Sequence, residues 1–276
     1  MYGILLLLLC LLLFPARGSA GEPQFVIGDT LGGDPVLREA VIRWSAAHDG
    51  TFEIRAIAPE ALGDPRNGCD AVLTDAGADI RSGSGMILLP YAVEAVAAAV
   101  AQSNPVSDIS AGELKRIYSG RIANWKALGG PDTAVVRAGV GKNAPGERAF
   151  QRCVMNRKAF DRGPVKPGDE ILPGMIVYRK PAEAGVLAQG VPGLIVFGTP
   201  ALGRVPGLKL LTVDGVAPTR ENIRSGKYPL TLTRCVCFRE QGALREFLRQ
   251  LPEFAAARAA AADDFLPVPD AGKSGN

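Results

Sequence analysis

One histidine, His48, serves the whole 276-residue chain. That scarcity removes most His-ligated metal sites and most acid–base or nucleophilic schemes built on imidazole. His48 itself sits in a polar Ala46-Ala47-His48-Asp49-Gly50 turn, and no G-x-S-x-G elbow is present, so a hydrolase has little to work with. Zinc pairs of the C-x-x-C type are missing too. Acidic and basic residues nearly cancel, leaving a formal net charge of +3. Nucleic-acid binding usually needs a basic face or tail, and none stands out. The expectation is a protein that is not an enzyme, holds no metal or other cofactor, and does not bind nucleic acid.

What is present is a globular composition: 47% apolar, 21% charged, with 33 Gly and 21 Pro. At this length one large domain or two lobes are expected. Residues 4–13 form an apolar run that ends in Phe14-Pro15-Ala16-Arg17 and the small residues Gly18-Ser19-Ala20. A run of about ten residues is too short to span a bilayer and reads as a secretory signal peptide over residues 1–20, cleaved near Ala20. The stretch Met1-Tyr2-Gly3 lacks the usual Lys or Arg, which keeps an uncleaved anchor as the alternative. Cys10 lies too deep in the run to be a lipoprotein acceptor. A soluble periplasmic or otherwise exported protein is expected. The remaining cysteines, Cys69, Cys153, Cys235 and Cys237, are even in number and permit two disulfides in any of three connectivities. Cys235 and Cys237 share a strand face and are not expected to bond each other. Structural thiols or disulfides are expected rather than zinc.

Strand and helix signals alternate along the chain. Phe25-Val26-Ile27 is a short strand, followed by a helix from Asp34 or Pro35 with Leu37, Val41, Ile42 and Trp44 at helical spacing. Residues 51–57, 70–74, 86–90 and 93–100 read as strands. Asn104-Pro105 breaks the chain, and Ser110 with Glu113 forms a capping box for the next helix. Strands follow at 134–138, 175–178, 194–197 and 230–238, with a helix through Phe150 and Val154 and two helices within 241–262. Residues 269–276 read as a tail, and no internal repeat is evident. The pattern predicts an α/β protein with sheets flanked by helices.

The stretch 107–126, containing Tyr118-Ser119-Gly120-Arg121-Ile122-Ala123-Asn124-Trp125, is distinctive. Asn104-Pro105 precedes it and Gly129-Gly130 follows. It resembles the phosphate-binding proteins of bacterial phosphate ABC importers, as do Asp214 to Ile223 with Gly226 to Leu230, Pro192 to Phe197, and Phe265 to Val268. These matches run in family order through most of residues 25–268. The resemblance implies a two-lobed periplasmic-binding-protein fold of type II, with mixed sheets and a double hinge crossing near 100–104 and 230–238. Lobe one would be residues 22–100 with 232–268, and lobe two residues 101–231.

It also implies a ligand cleft closed by hinge motion. A dehydrated oxyanion needs fixed donors, preferably backbone N–H groups at helix starts. Thr30 and Leu31 match the first ligand loop, where the plainer alternative has Asp29 and Thr30 capping the helix. Asp75 matches a carboxylate that accepts a hydrogen bond from the proton of a phosphate and so rejects sulfate, where the plainer alternative is a solvated loop Asp. Arg137 matches the cleft arginine, a residue suited to bidentate oxyanion binding, where the plainer alternative is a surface ion pair. The loop at 139–146 departs from the family's Gly-Ser-Gly-Thr: no hydroxyl remains, Pro145 removes a donor, and Lys142, Asn143 and the Gly146 N–H are left to compensate. Ala58-Pro59-Glu60-Ala61 replaces a Gly- and Ser-rich loop. The expected function is an exported, monomeric solute-binding protein that captures phosphate or a related oxyanion and delivers it to the membrane subunits of an ABC importer. The alternative is a binding or sensor module of the same fold that recognises a different ligand or a protein partner.

Overall fold

The computed structural model describes residues 24–30, 33–48, 51–57, 68–76, 85–141, 146–155, 171, 173–239, 242–261 and 265–268. The leader, Leu31, the loop at 58–61, Lys142, Asn143 and the tail lie outside the described residues. The chain opens with β1 (Phe25–Asp29), α1 (Pro35–His48), β2 (Phe52–Ala56), β3 (Ala71–Asp75) and β4 (Met86–Ala95). After Val96 come β5 (Ala97–Ala101), β6 (Asp108–Ile109), α2 (Ala111–Tyr118), β7 (Val136–Val140), α3 (Glu147–Cys153) and β8 (Ile176–Tyr178). Then follow α4 (Pro181–Gly190), β9 (Leu194–Gly198), β10 (Leu208–Leu210), β11 (Thr212–Val213) and α5 (Arg220–Arg224). The last elements are β12 (Thr231–Arg239), α6 (Gly242–Arg249), α7 (Leu251–Ala261) and β13 (Phe265–Pro267).

These strands make two main sheets with one shared plan. The first runs β2-β1-β3-β12-β4-β13 and the second β8-β7-β9-β5-β10. In each, three parallel strands are followed by an antiparallel strand arriving from the other half: β12 on β3 in the first, β5 on β9 in the second. Both sheets therefore have the order second, first, third, incoming, fourth, although the sequences of the two halves show no repeat. This is the type II plan expected from the motifs.

The chain changes sheet at Val96, earlier than the expected 100–104, because β5 belongs wholly to the second sheet. The run from 86 to 101 is apolar apart from Glu94, so its hydrophobicity carries straight through the switch. Val96 N donates to Leu230 O at 3.0 Å, and Tyr228 Oη donates to Val96 O at 2.9 Å, which fasten the outgoing crossing to the returning one.

Helix positions follow from caps and buried faces. Asp34 caps α1 by accepting from Leu37 N at 2.8 Å, and Val36, Leu37, Ala40 and Trp44 are buried. Ile42, expected on that face, points outward and is 70% exposed. His48 stacks on Trp44 with ring centroids 4.5 Å apart, one turn along the helix, where it packs rather than reacts. The capping box of α2 forms as expected, with Glu113 N donating to Ser110 Oγ and Ser110 N to the Glu113 carboxylate. Trp125 is fully buried and its Nε1 donates to Gly193 O at 2.9 Å, pinning the 107–126 segment to the start of β9. Phe150 stacks on Phe197 at 3.8 Å, seating α3 against β9. Gly139 makes room for that stack, since a Cβ there would lie 2.2 Å from the Phe197 ring.

Candidate functional site

The carboxyl ends of β1 and β3 lie side by side, and α3 approaches them from the other half. Asp75, the last residue of β3, is 1% exposed, and its Oδ1 receives Arg152 Nη2 of α3 at 3.0 Å. The pair joins the two halves. A second link sits beside it: Gly146 N, just before α3, donates to Glu94 Oε1 at 2.5 Å. Gly146 has a φ of 89°, a left-handed turn that favours glycine, and a Cβ there would meet the Gly198 backbone only at ordinary contact distance.

Glu94 belongs to a buried charge cluster. Its Oε2 accepts from Arg234 Nε at 2.9 Å and lies 2.8 Å from Nη2, while Arg234 Nη1 reaches Asp34 Oδ2 at 3.0 Å. Tyr91 Oη donates to the same Asp34 oxygen at 2.5 Å. Glu94, Arg234 and Asp34 are all at most 2% exposed. Burial opposes the Arg234 charge, but the Glu94 and Asp34 carboxylates outweigh it and hold the guanidinium protonated beyond its usual range. Burial and Asp34 push the Tyr91 phenol well above its usual range. A bulge makes the cluster possible. Arg234 pairs with Ala92 and Cys235 with Pro90, which leaves Tyr91 as the extra residue of β4. It also accommodates Pro90, which has no N–H for the ladder.

The six expected site residues fare differently. Asp75 stands at the meeting of the two halves, and so does Gly146 through its bond to Glu94. Thr30 is 2% exposed, but its N and Oγ both donate to Leu73 O, at 3.2 and 2.7 Å. Both donors expected to reach a ligand are thus committed to fastening β1 to β3. Nor do Asp29 and Thr30 cap α1, as the plainer alternative had it: Asp34 does, while Asp29 Oδ2 accepts from Gly33 N at 2.8 Å. Arg137 is the second residue of β7, and its Nη1 donates to Ile117 O of α2 at 3.4 Å. Leu31 and Asn143 lie outside the described residues.

Arg152, Glu94, Arg234 and Asp34 were not among the expected residues. Glu94 did carry a signal, as the lone charge in an apolar strand run, which must find a partner when buried. Two further polar atoms on α3, Arg148 Nε and Gln151 Oε1, are buried without a hydrogen-bond partner among the described residues. Cys153, Cys235 and Cys237 are thiols rather than halves of a disulfide. Burial pushes the Cys153 thiol up to about 12, with Glu94 and Asp75 adding to the rise against Arg152. Cys235 is pushed up to about 12 and Cys237 to about 11, again chiefly by burial. Among the described residues no group of three or more His, Cys, Asp or Glu could hold a metal ion, and no helix is long and apolar enough to cross a membrane.

Two sheets of type II order, joined by a double crossing, define a periplasmic-binding-protein fold. The chain belongs to the PBP superfamily domain family, whose model matches residues 66–258. It is 32% identical over 141 residues to the phosphate-binding protein PstS of Bacillus subtilis, a match spanning 50% of this chain and 42% of that protein. Among solved structures it is similar to an ABC-type phosphate transport receptor from Vibrio cholerae, with a TM-score of 0.70 and 17% identity over 88% of this chain and 99% of that one. PstS from Borrelia burgdorferi gives a TM-score of 0.65 at 18% identity over 89% and 98% of the two chains.

Proposed function

We propose that this protein is an exported solute-binding protein that captures phosphate or a related oxyanion between two lobes and hands it to an ABC importer, without covalent chemistry. The lobes would be the two sheet halves, hinged where Val96 and Leu230 meet. One observation carries the reading: Asp75, buried at the end of β3, faces Arg152 of the opposite half at 3.0 Å. A protonated phosphate, monobasic or dibasic, suits such a pair, because its P–OH can donate a hydrogen bond to the carboxylate while its charge faces the guanidinium. Sulfate has no proton at neutral pH and meets Asp75 as a like charge. Buried Arg148 Nε and Gln151 Oε1 on the same helix support a polar ligand here. The protein of Bacillus subtilis that this chain resembles carries phosphate-binding in its name, which favours the same class of ligand and, with it, export and a membrane importer as partner.

Calorimetry on the purified mature protein, stripped of endogenous ligand, tests the reading. Phosphate is expected to bind and sulfate to give no heat, and Asp75→Asn should narrow that preference by about tenfold or more. Equal binding of both anions to the wild type would remove Asp75 from its role. No binding of either would favour a second reading, a module of this fold with another ligand or a protein partner. That second reading draws on Thr30 and Gly146, whose donors are already committed to Leu73 O and Glu94.

A further inference from the structure

Glu94 reaches further than a structural counter-ion needs to. Asp34 already stands on Arg234 at 3.0 Å, and Tyr91 steadies Asp34. Glu94 adds a second carboxylate to that arginine through Oε2 and extends Oε1 across to Gly146 N in the other half. With Asp75–Arg152, and with Cys153 Sγ donating to Thr231 O of β12 at 3.2 Å, this ties the α3 segment to the first sheet's half through bonds supplied by the chain itself. A carboxylate accepts a backbone N–H in the same way as the oxygen of a phosphate, and it carries the same sign of charge.

We propose that Glu94 is a built-in anion. It holds the α3 segment across the cleft in the ligand-free protein and competes with an incoming oxyanion for the Gly146 N–H, which makes it the residue that sets ligand affinity and selectivity. The inference rests on the cleft's being an oxyanion site. An arriving anion must displace Oε1 from Gly146 and also tolerate a buried like charge nearby. Ligands with fewer negative charges or more donors are therefore favoured over a dianion. The loss of Ser and Thr from the 139–146 loop works in the same direction, since fewer external donors remain to outbid the internal acceptor.

The test is Glu94→Gln, which keeps the shape and an acceptor oxygen but removes the charge. Glu94→Asp is the companion: it keeps the charge on Arg234 while drawing back from Gly146 by one methylene. Calorimetry with inorganic phosphate on the mature protein should give at least tenfold tighter binding for both variants than for the wild type. Small-angle scattering should show the ligand-free variants more open than the ligand-free wild type. Structural damage alone would lower affinity, so a gain is specific to competition. If the wild type binds phosphate and the folded variants bind it equally or more weakly, Glu94 is not a competitor, while the oxyanion reading stands. If neither wild type nor variants bind phosphate, the oxyanion reading fails and competition falls with it. Should Glu94→Gln not fold, Glu94→Asp decides the matter alone.

Discussion

Arg234→Met is the perturbation that asks most of the buried cluster. Arg234 is 1% exposed, bonds Glu94 at 2.9 Å and Asp34 at 3.0 Å, and lies 4.9 Å from the Phe265 ring centroid. Methionine fills much of the same volume, so the packing loss is small and the charge loss dominates. Removing one partner from a buried ion pair costs about 3–5 kcal/mol, because the abandoned charge stays desolvated. Here two carboxylates are abandoned at once, and the cation–π contact contributes about another 1 kcal/mol. For a chain of this size each kcal/mol moves the melting temperature by about 2–4 °C, so a fall of about 8–24 °C is expected. Thermal and urea unfolding followed by circular dichroism measure it. The companion variant Asp34→Asn/Glu94→Gln/Arg234→Met removes all three charges together and should recover part of the loss, since no uncompensated ion is left. A single Arg234→Met within about 1 kcal/mol of wild type, or a triple variant less stable than the single, would refute the view that the cluster is held by charge compensation.

Gly193→Ala should destabilise by about 3 kcal/mol or more, because the new Cβ would stand 2.0 Å from the Ala134 carbonyl oxygen, a backbone atom that cannot rotate away; urea unfolding reads it, and a neutral result would mean that β9 can shift without cost. The buried thiols predict an alkaline loss of stability. Cys153, Cys235 and Cys237 have folded pKa values raised to about 12, 12 and 11 from 9.0, so the folded state keeps protons that the unfolded state releases. Their contribution is complete below the unfolded value and declines from about pH 9 upward through the folded values. Urea midpoints should therefore fall between pH 8 and pH 10.5, and replacing the three by Ser should flatten that slope; an unchanged slope would show that the thiols do not cause it.

The fold was legible because its signals are local and repeated. Ser110 and Glu113 announce a helix start, and the alternation of strands with amphipathic helices survives any shift of two residues, such as β7 beginning at Val136 instead of 134. The crossing at Val96 was not legible, because a strand that leaves one sheet and enters another stays buried on both sides of the switch. Alternation cannot mark a boundary between two dry environments. Ile42 fails for a simpler reason: it is apolar, but on the solvent side of α1, where periodicity counts a residue without knowing which stripe wins.

The site divides along the same line between local and long-range information. Asp75 was singled out because its strand motif is contiguous in sequence. Its partner Arg152 is 77 residues away, and Glu94 and Arg234 are 140 apart, so no spacing rule connects them. What sequence does offer is a constraint rather than a contact. Glu94 is the single charge between 86 and 101, and burial without a partner would cost several kcal/mol. A cation had to be found for it elsewhere in the chain, and Arg234, inside the returning strand that pairs with β4, meets that need. A charged residue in an apolar strand therefore carries more information than another motif match: it forecasts an ion pair across the sheet. Here that ion pair also reaches the other half of the molecule, because Glu94 Oε1 accepts from Gly146 N.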